Sequence, residues 1–144
     1  MKSGESRWMV VVDTRRARLL SLEHTPWGRL HVEERALLEE HWEEREHHRP
    51  SMLAAGGRSF AQPAREREER RRRFGREAVK WIERQLEQHH VDHAEVLCAT
   101  TLLGELRNAC PDSLAARIGV RACDVARLST AQLASHPAVT DALN

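Results

Sequence analysis

A chain of 144 residues, 40% apolar and 31% charged, has the length for one domain with a lean core and a heavily solvated surface. No apolar run reaches membrane-spanning length, which excludes a transmembrane helix. The net charge of +1 hides a strong asymmetry: residues 33–48 hold seven glutamates against two arginines, and residues 65–73 hold six arginines against three glutamates.

Residues 1–5 lack the apolar core of a signal peptide, so a cytoplasmic location with no membrane contact is expected. Three widely spaced cysteines, Cys98, Cys110 and Cys123, without a Cys-x-x-Cys pattern fit reduced, mostly packed thiols. The run Trp8-Met9-Val10-Val11-Val12-Asp13 predicts a buried central strand. Thr14-Arg15-Arg16 turns the chain, and residues 17–22 pair back as a hairpin. Pro26-Trp27-Gly28 forms the next turn. A third strand starts near Arg29 with Leu30 and Val32 on one face, and around Leu37 and Leu38 the pattern fits strand or helix.

Residues 46–64, with Pro50, Gly56, Gly57 and Pro63, read as a mobile loop. Helix follows to about Val91, with Phe74, Ala78, Trp81, Ile82, Gln85, Leu86 and His89 on one stripe. Residues 65–73 precede that stripe and are expected to project as a solvated basic extension. Residues 94–99 form another buried strand, and Thr100 or Thr101 caps a helix carrying Leu102, Leu103 and Leu106. Ile118, Val120 and Ala122 alternate as a last strand, and Ser129-Thr130-Ala131-Gln132 fits a capping box. The order β-β-β-α-β-α-β-α implies a single α/β domain over residues 1–144, with helices packed on a mixed five-stranded sheet.

The candidate site is the paired-glycine loop Gly56-Gly57-Arg58-Ser59-Phe60 with the basic helix behind it. Glycine admits close approach of the main chain, and guanidinium groups fork onto phosphate oxygens. Gly56, Gly57, Arg58, Ser59, Arg65, Arg67, Arg70, Arg71, Arg72 and Arg73 are therefore the expected RNA-contacting residues. Glutamates three or four positions from arginines allow a plainer reading, a self-paired charged face. No aromatic interleaves with the run, so base stacking is not supported. Asp13 suits a turn cap better than a metal ligand, and His89 with His93 lacks the cysteine or His-Glu-x-x-His context of a zinc site. No metal or cofactor is expected.

The chain resembles the bacterial family named for a protein required for attachment to host cells. The resemblance rests on the opening strand with Arg16-Ala17-Arg18-Leu19, on Gly57-Arg58-Ser59-Phe60, and on Phe74 with its helix. It continues through residues 96–99 into Leu103-Gly104-Glu105-Leu106-Arg107, and closes with Asp124-Val125, Leu128 and the Ser129 helix. That family is distantly similar to the central catalytic domain of eukaryotic and archaeal class-one release factors, which implies a ribonuclease-H-like fold. It also implies a partner in the ribosome or tRNA. In those factors a Gly-Gly-Gln loop enters the peptidyl-transferase centre; here Arg58 stands in place of the glutamine. A rival alignment treats Gly56 as the proline of a Pro-Gly-Arg-Ser-Phe pattern, and it is the better of the two. No catalytic residue is assigned. The expected function is an RNA-contacting, translation-associated module. The alternative is an attachment-related protein–protein module whose binding surface is the acidic segment 33–48 with an exposed Trp42; separately, Trp27 and Trp42 both sit in polar surroundings, where one of the two suits contact with a partner or another subunit.

Overall fold

The computed structural model describes residues 7–40 and 61–143. β1 (Arg7–Val12), β2 (Arg16–His24) and β3 (Leu30–Glu39) form an antiparallel meander. α1 (Ala61–Gln88) then leads to β4 (Ala94–Cys98), α2 (Thr100–Ala109), α3 (Asp112–Ala115) and β5 (Ile118–Ala122). α4 (Thr130–Ala134) and α5 (Pro137–Ala142) close the chain. The five strands lie in the order β3-β2-β1-β4-β5, with β1, β4 and β5 mutually parallel. The mixed five-stranded sheet expected from the sequence is present, with two short helices, α3 and α5, added to the expected order.

Alternation along the strands divides the core into two layers. Val10, Val12, Ala17, Leu19, Val96 and Cys98 face α1 and α2, where Phe74, Ile82, Leu86, Leu102 and Leu106 are fully buried. Met9, Val11, Leu20, Leu22 and Leu97 face α4 and α5, where they meet Leu133 and Val139. Each large side chain so buried contributes about 1.5–3 kcal/mol before entropy is counted. The sheet is thus held between helical layers, and its central strands β1 and β4 read as near-continuous apolar runs for that reason.

The ambiguous stretch around Leu37 and Leu38 is strand throughout. A bulge shifts the register between Leu19 and Leu20, leaving Arg35 without an opposite residue on β2. One extra residue reverses the faces of everything beyond it. Val32 therefore joins the α4–α5 layer, whereas Ala36 and Leu38 pack on the α1 side and Leu37 is left 47% exposed.

α1 is already helical at Ala61, so residues 61–64 belong to the helix and not to the loop expected over residues 46–64. It ends before Val91: His90 takes a left-handed conformation (φ 54°) and the Val91 amide donates to the Leu86 carbonyl at 2.8 Å. Buried Val91 and Leu86 complete the hydrophobic contact of this helix stop. The N-cap of α2 is Ala99, not a threonine, and no side chain caps it. The expected capping box on α4 is present: Ser129 Oγ accepts from the Gln132 amide at 3.1 Å and Gln132 Oε1 accepts from the Ser129 amide at 2.9 Å. Among the described residues no helix is long and apolar enough to cross a membrane.

Candidate anion-binding site

The parallel strands β1 and β4 end side by side, and the chain leaves both at the same edge of the sheet. β1 runs into the turn Asp13-Thr14-Arg15, and β4 runs into the first turn of α2 with Thr101. Carboxyl ends of parallel strands are the usual binding edge of an open α/β sheet. The turn is fixed by Asp13, which is buried: its Oδ1 accepts from the Arg15 and Arg16 amides at 2.8 and 2.9 Å. The turn-capping reading of Asp13 therefore accounts for its carboxylate.

α1 crosses this edge. Its inward face carries Phe74, Ala78, Ile82 and Leu86 over the sheet, and the same face continues past the sheet edge as Arg70, Arg71 and Arg67. Those positions fall at i, i+3 and i+4, so one helix face delivers all of them. With Thr14, Arg15 and Thr101 they line a half-open recess of about 240 Å³. All six lining side chains can donate hydrogen bonds, and none is acidic or apolar. Arg70 is the most enclosed, its side chain 14% exposed and its Nη2 3.5 Å from Glu66 Oε1.

The basic segment is therefore not one solvated extension. Arg67, Arg70 and Arg71 come together, while Arg72 points elsewhere and pairs with Glu68 at 3.4 Å and Glu69 at 3.7 Å. Arg65 and Arg73 are exposed and do not line the recess. Gly56, Gly57, Arg58 and Ser59, with Phe60, lie outside the described residues. Arg15, Thr14 and Thr101 were not among the residues expected from the sequence. Threonine and arginine in a turn carry no signal of their own until the sheet places them beside α1. The inward direction of Arg67, Arg70 and Arg71 was readable by extending the Phe74 stripe backwards.

The other candidates are accounted for by local contacts. His93 Nε2 lies 3.0 Å from Glu95 Oε2, and the His89 ring lies against Trp8 with centroids 5.4 Å apart. Among the described residues no three His, Cys, Asp or Glu side chains converge as a metal site. Two glutamates of the acidic segment are paired, Glu34 with Arg18 of β2 at 2.7 Å and Glu33 with Arg35 at 3.5 Å; residues 41–48 of it, with Trp42, lie outside the described residues. Trp27, at the tip of the β2–β3 hairpin, is 79% exposed. Burial pushes the Cys98 thiol up to about 12, with Asp13 and Asp124 adding to the rise and Arg107 opposing it. Burial also raises Cys110 and Cys123, so none of the three is an activated thiolate.

The model of the family described as "Protein required for attachment to host cells" matches residues 8–136, nearly the whole chain. The chain belongs to this family. The match spans the entire sheet apart from Arg7, and it includes every residue lining the recess, so the recess is part of the attachment-family domain itself. Comparison with curated proteins gives no match.

Proposed function

We propose that this member of the attachment family is an RNA-contacting module of the translation apparatus that holds phosphate groups in the arginine recess. The observation that carries the reading is the meeting of Arg67, Arg70 and Arg71 with Arg15, Thr14 and Thr101 at the carboxyl edge of the sheet. Guanidinium groups bind phosphate oxygens in bidentate, charge-assisted pairs, and four of them in one recess concentrate positive potential in a protein of nearly neutral net charge. The resemblance to the release-factor central domain adds the translation context. For Gly56, Gly57, Arg58 and Ser59, which precede α1 in the sequence, the same resemblance implies a contact with ribosomal RNA or the tRNA acceptor end. The reading is one of binding; it assigns no hydrolytic residue.

Co-sedimentation with ribosomes and with tRNA at low and moderate salt tests it. Binding that weakens with salt and is lost in an Arg67→Gln, Arg70→Gln, Arg71→Gln variant supports the reading. Absence of binding by the folded wild type at low salt overturns it. The family's description favours a second reading, a protein–protein module in attachment, for which Trp27 at the hairpin tip is the exposed anchor. Salt-insensitive capture of a protein partner, lost on Trp27→Ala, would support that one.

A further inference from the structure

We infer that the recess is shaped for a terminal phosphomonoester, the phosphorylated end of an RNA strand, rather than for phosphates along the backbone. The inference rests on the RNA reading above and narrows it to one chemical group. The recess has three walls from three parts of the chain: the β1–β2 turn with Thr14 and Arg15, the α1 face with Arg67, Arg70 and Arg71, and the first turn of α2 with Thr101. A phosphodiester inside a strand has two chain connections and presents two free oxygens. A terminal monoester has one connection, three free oxygens and a charge of about −1.5 to −2 at neutral pH. Donors on three sides of a recess open on the remaining one match the second group.

The lining chemistry points the same way. Guanidinium groups only donate, so the occupant must be an acceptor over most of its surface. The six lining residues include no aromatic side chain, so the recess offers no stacking platform to a base. Recognition is therefore of the end and not of the sequence. Arg70 is braced by Glu66 and largely enclosed, so its fork is already ordered before the ligand arrives. A free nucleotide carries the same phosphate chemistry, and the experiment separates the two sources.

The test uses internally labelled short RNAs of one sequence, bearing a phosphate at the 5′ end, at the 3′ end, or at neither, with binding read by fluorescence anisotropy. One phosphorylated form should bind about tenfold more tightly than the unphosphorylated RNA, the effect of one or two charge-assisted hydrogen bonds. That advantage should disappear in Arg67→Gln and in Thr101→Val, both exposed positions whose substitution leaves the core untouched. Millimolar inorganic phosphate should also erase it. Equal, salt-sensitive affinity for all three RNAs overturns the end-group inference and leaves the RNA reading standing. A nucleoside monophosphate that binds as tightly as the phosphorylated RNA overturns the assignment to an RNA end. Absence of binding to any RNA overturns both readings.

Discussion

Arg70 stands one helical turn before Phe74 on the same face of α1, and between them the helix passes from the core to the recess. Phe74 is fully buried against the sheet, whereas Arg70 has left the sheet and lines the arginine recess. The core contact fixes the rotation of the helix, and that rotation decides which arginines turn inward. Packing and binding are thus linked through a single helix face.

This link separates the six arginines of residues 65–73 into two functional sets. Replacing Arg67, Arg70 and Arg71 by glutamine should weaken RNA binding by at least about tenfold, since charge-assisted hydrogen bonds contribute about 1.5–3 kcal/mol each. The same replacement at Arg65, Arg72 and Arg73 should change affinity by only a few-fold, through long-range charge alone. Equilibrium binding of a labelled tRNA by the two variants, each first shown to be folded by circular dichroism, measures the difference. The two variants carry identical net charge, so a purely electrostatic face would weaken equally in both.

The α4 layer depends on a buried cation. Arg18 is 8% exposed; its Nη1 donates to the Ala126 and Leu128 carbonyls at 2.9 and 2.6 Å, and its Nε to Glu34 at 2.7 Å. Arg18→Met keeps the apolar stem but strands two carbonyls and a carboxylate, and should cost about 2–4 kcal/mol. Glu34→Gln retains an acceptor on a partly exposed side chain and should cost less than about 1 kcal/mol. Urea denaturation of both variants measures the contrast.

Two helix glycines should respond to alanine with opposite signs. A Cβ on Gly75 would stand 2.9 Å from Glu105 Cβ and 3.4 Å from its carbonyl carbon, where α1 and α2 pack together. Nothing lies within 4 Å of a Cβ on Gly104. Gly104→Ala should stabilise by about 0.5–1 kcal/mol through helix propensity. Gly75→Ala should destabilise by about 1–3 kcal/mol, because backbone atoms cannot yield as a flexible side-chain end would. Thermal melts order the three proteins.

The buried thiol predicts a direction for alkaline sensitivity. Cys98 is fully buried and its pKa is raised from 9.0 to about 12 in the folded protein. Above pH 9 the unfolded chain loses this proton while the folded state keeps it, so the unfolded state binds fewer protons and stability falls as pH rises. The Cys98 contribution is complete below pH 9 and is lost as pH climbs towards 12. Cys98→Ala should flatten that decline in a denaturation series. In native protein, iodoacetamide should label Cys110 and Cys123 first and reach Cys98 only on unfolding.

Much of this architecture was legible because the decisive patterns were long. The apolar run of β1, the stripe from Phe74 to Leu86 and the Ser129–Gln132 capping pair each carry several agreeing residues. α3 has four residues and α5 six, too few for a 3.6-residue period to emerge. The bulge at Arg35 was hidden because an extra residue changes the faces of Ala36, Leu37 and Leu38 without changing their composition. At the recess, α1 supplied residues that periodicity identifies, whereas Thr14, Arg15 and Thr101 arrive through sheet topology. Only the pairing of β1 with β4 brings their segments together. The N-cap of α2 departs from the sequence expectation for a related reason: Thr100 and Thr101 have good cap chemistry, but β4 ends at Cys98 and leaves Ala99 at the boundary.

The most direct measurement is the slope of log binding constant against log salt for a single-stranded RNA, in wild type and in the Arg67, Arg70, Arg71 glutamine variant. Each phosphate contact on single-stranded RNA contributes about 0.7 to that slope. Loss of the three arginines should lower affinity at low salt and flatten the slope by about 1 if they share one terminal phosphate, or by about 2 if each meets a separate backbone phosphate. A folded variant with the wild-type slope and affinity would contradict the assignment of the recess as the phosphate-binding site.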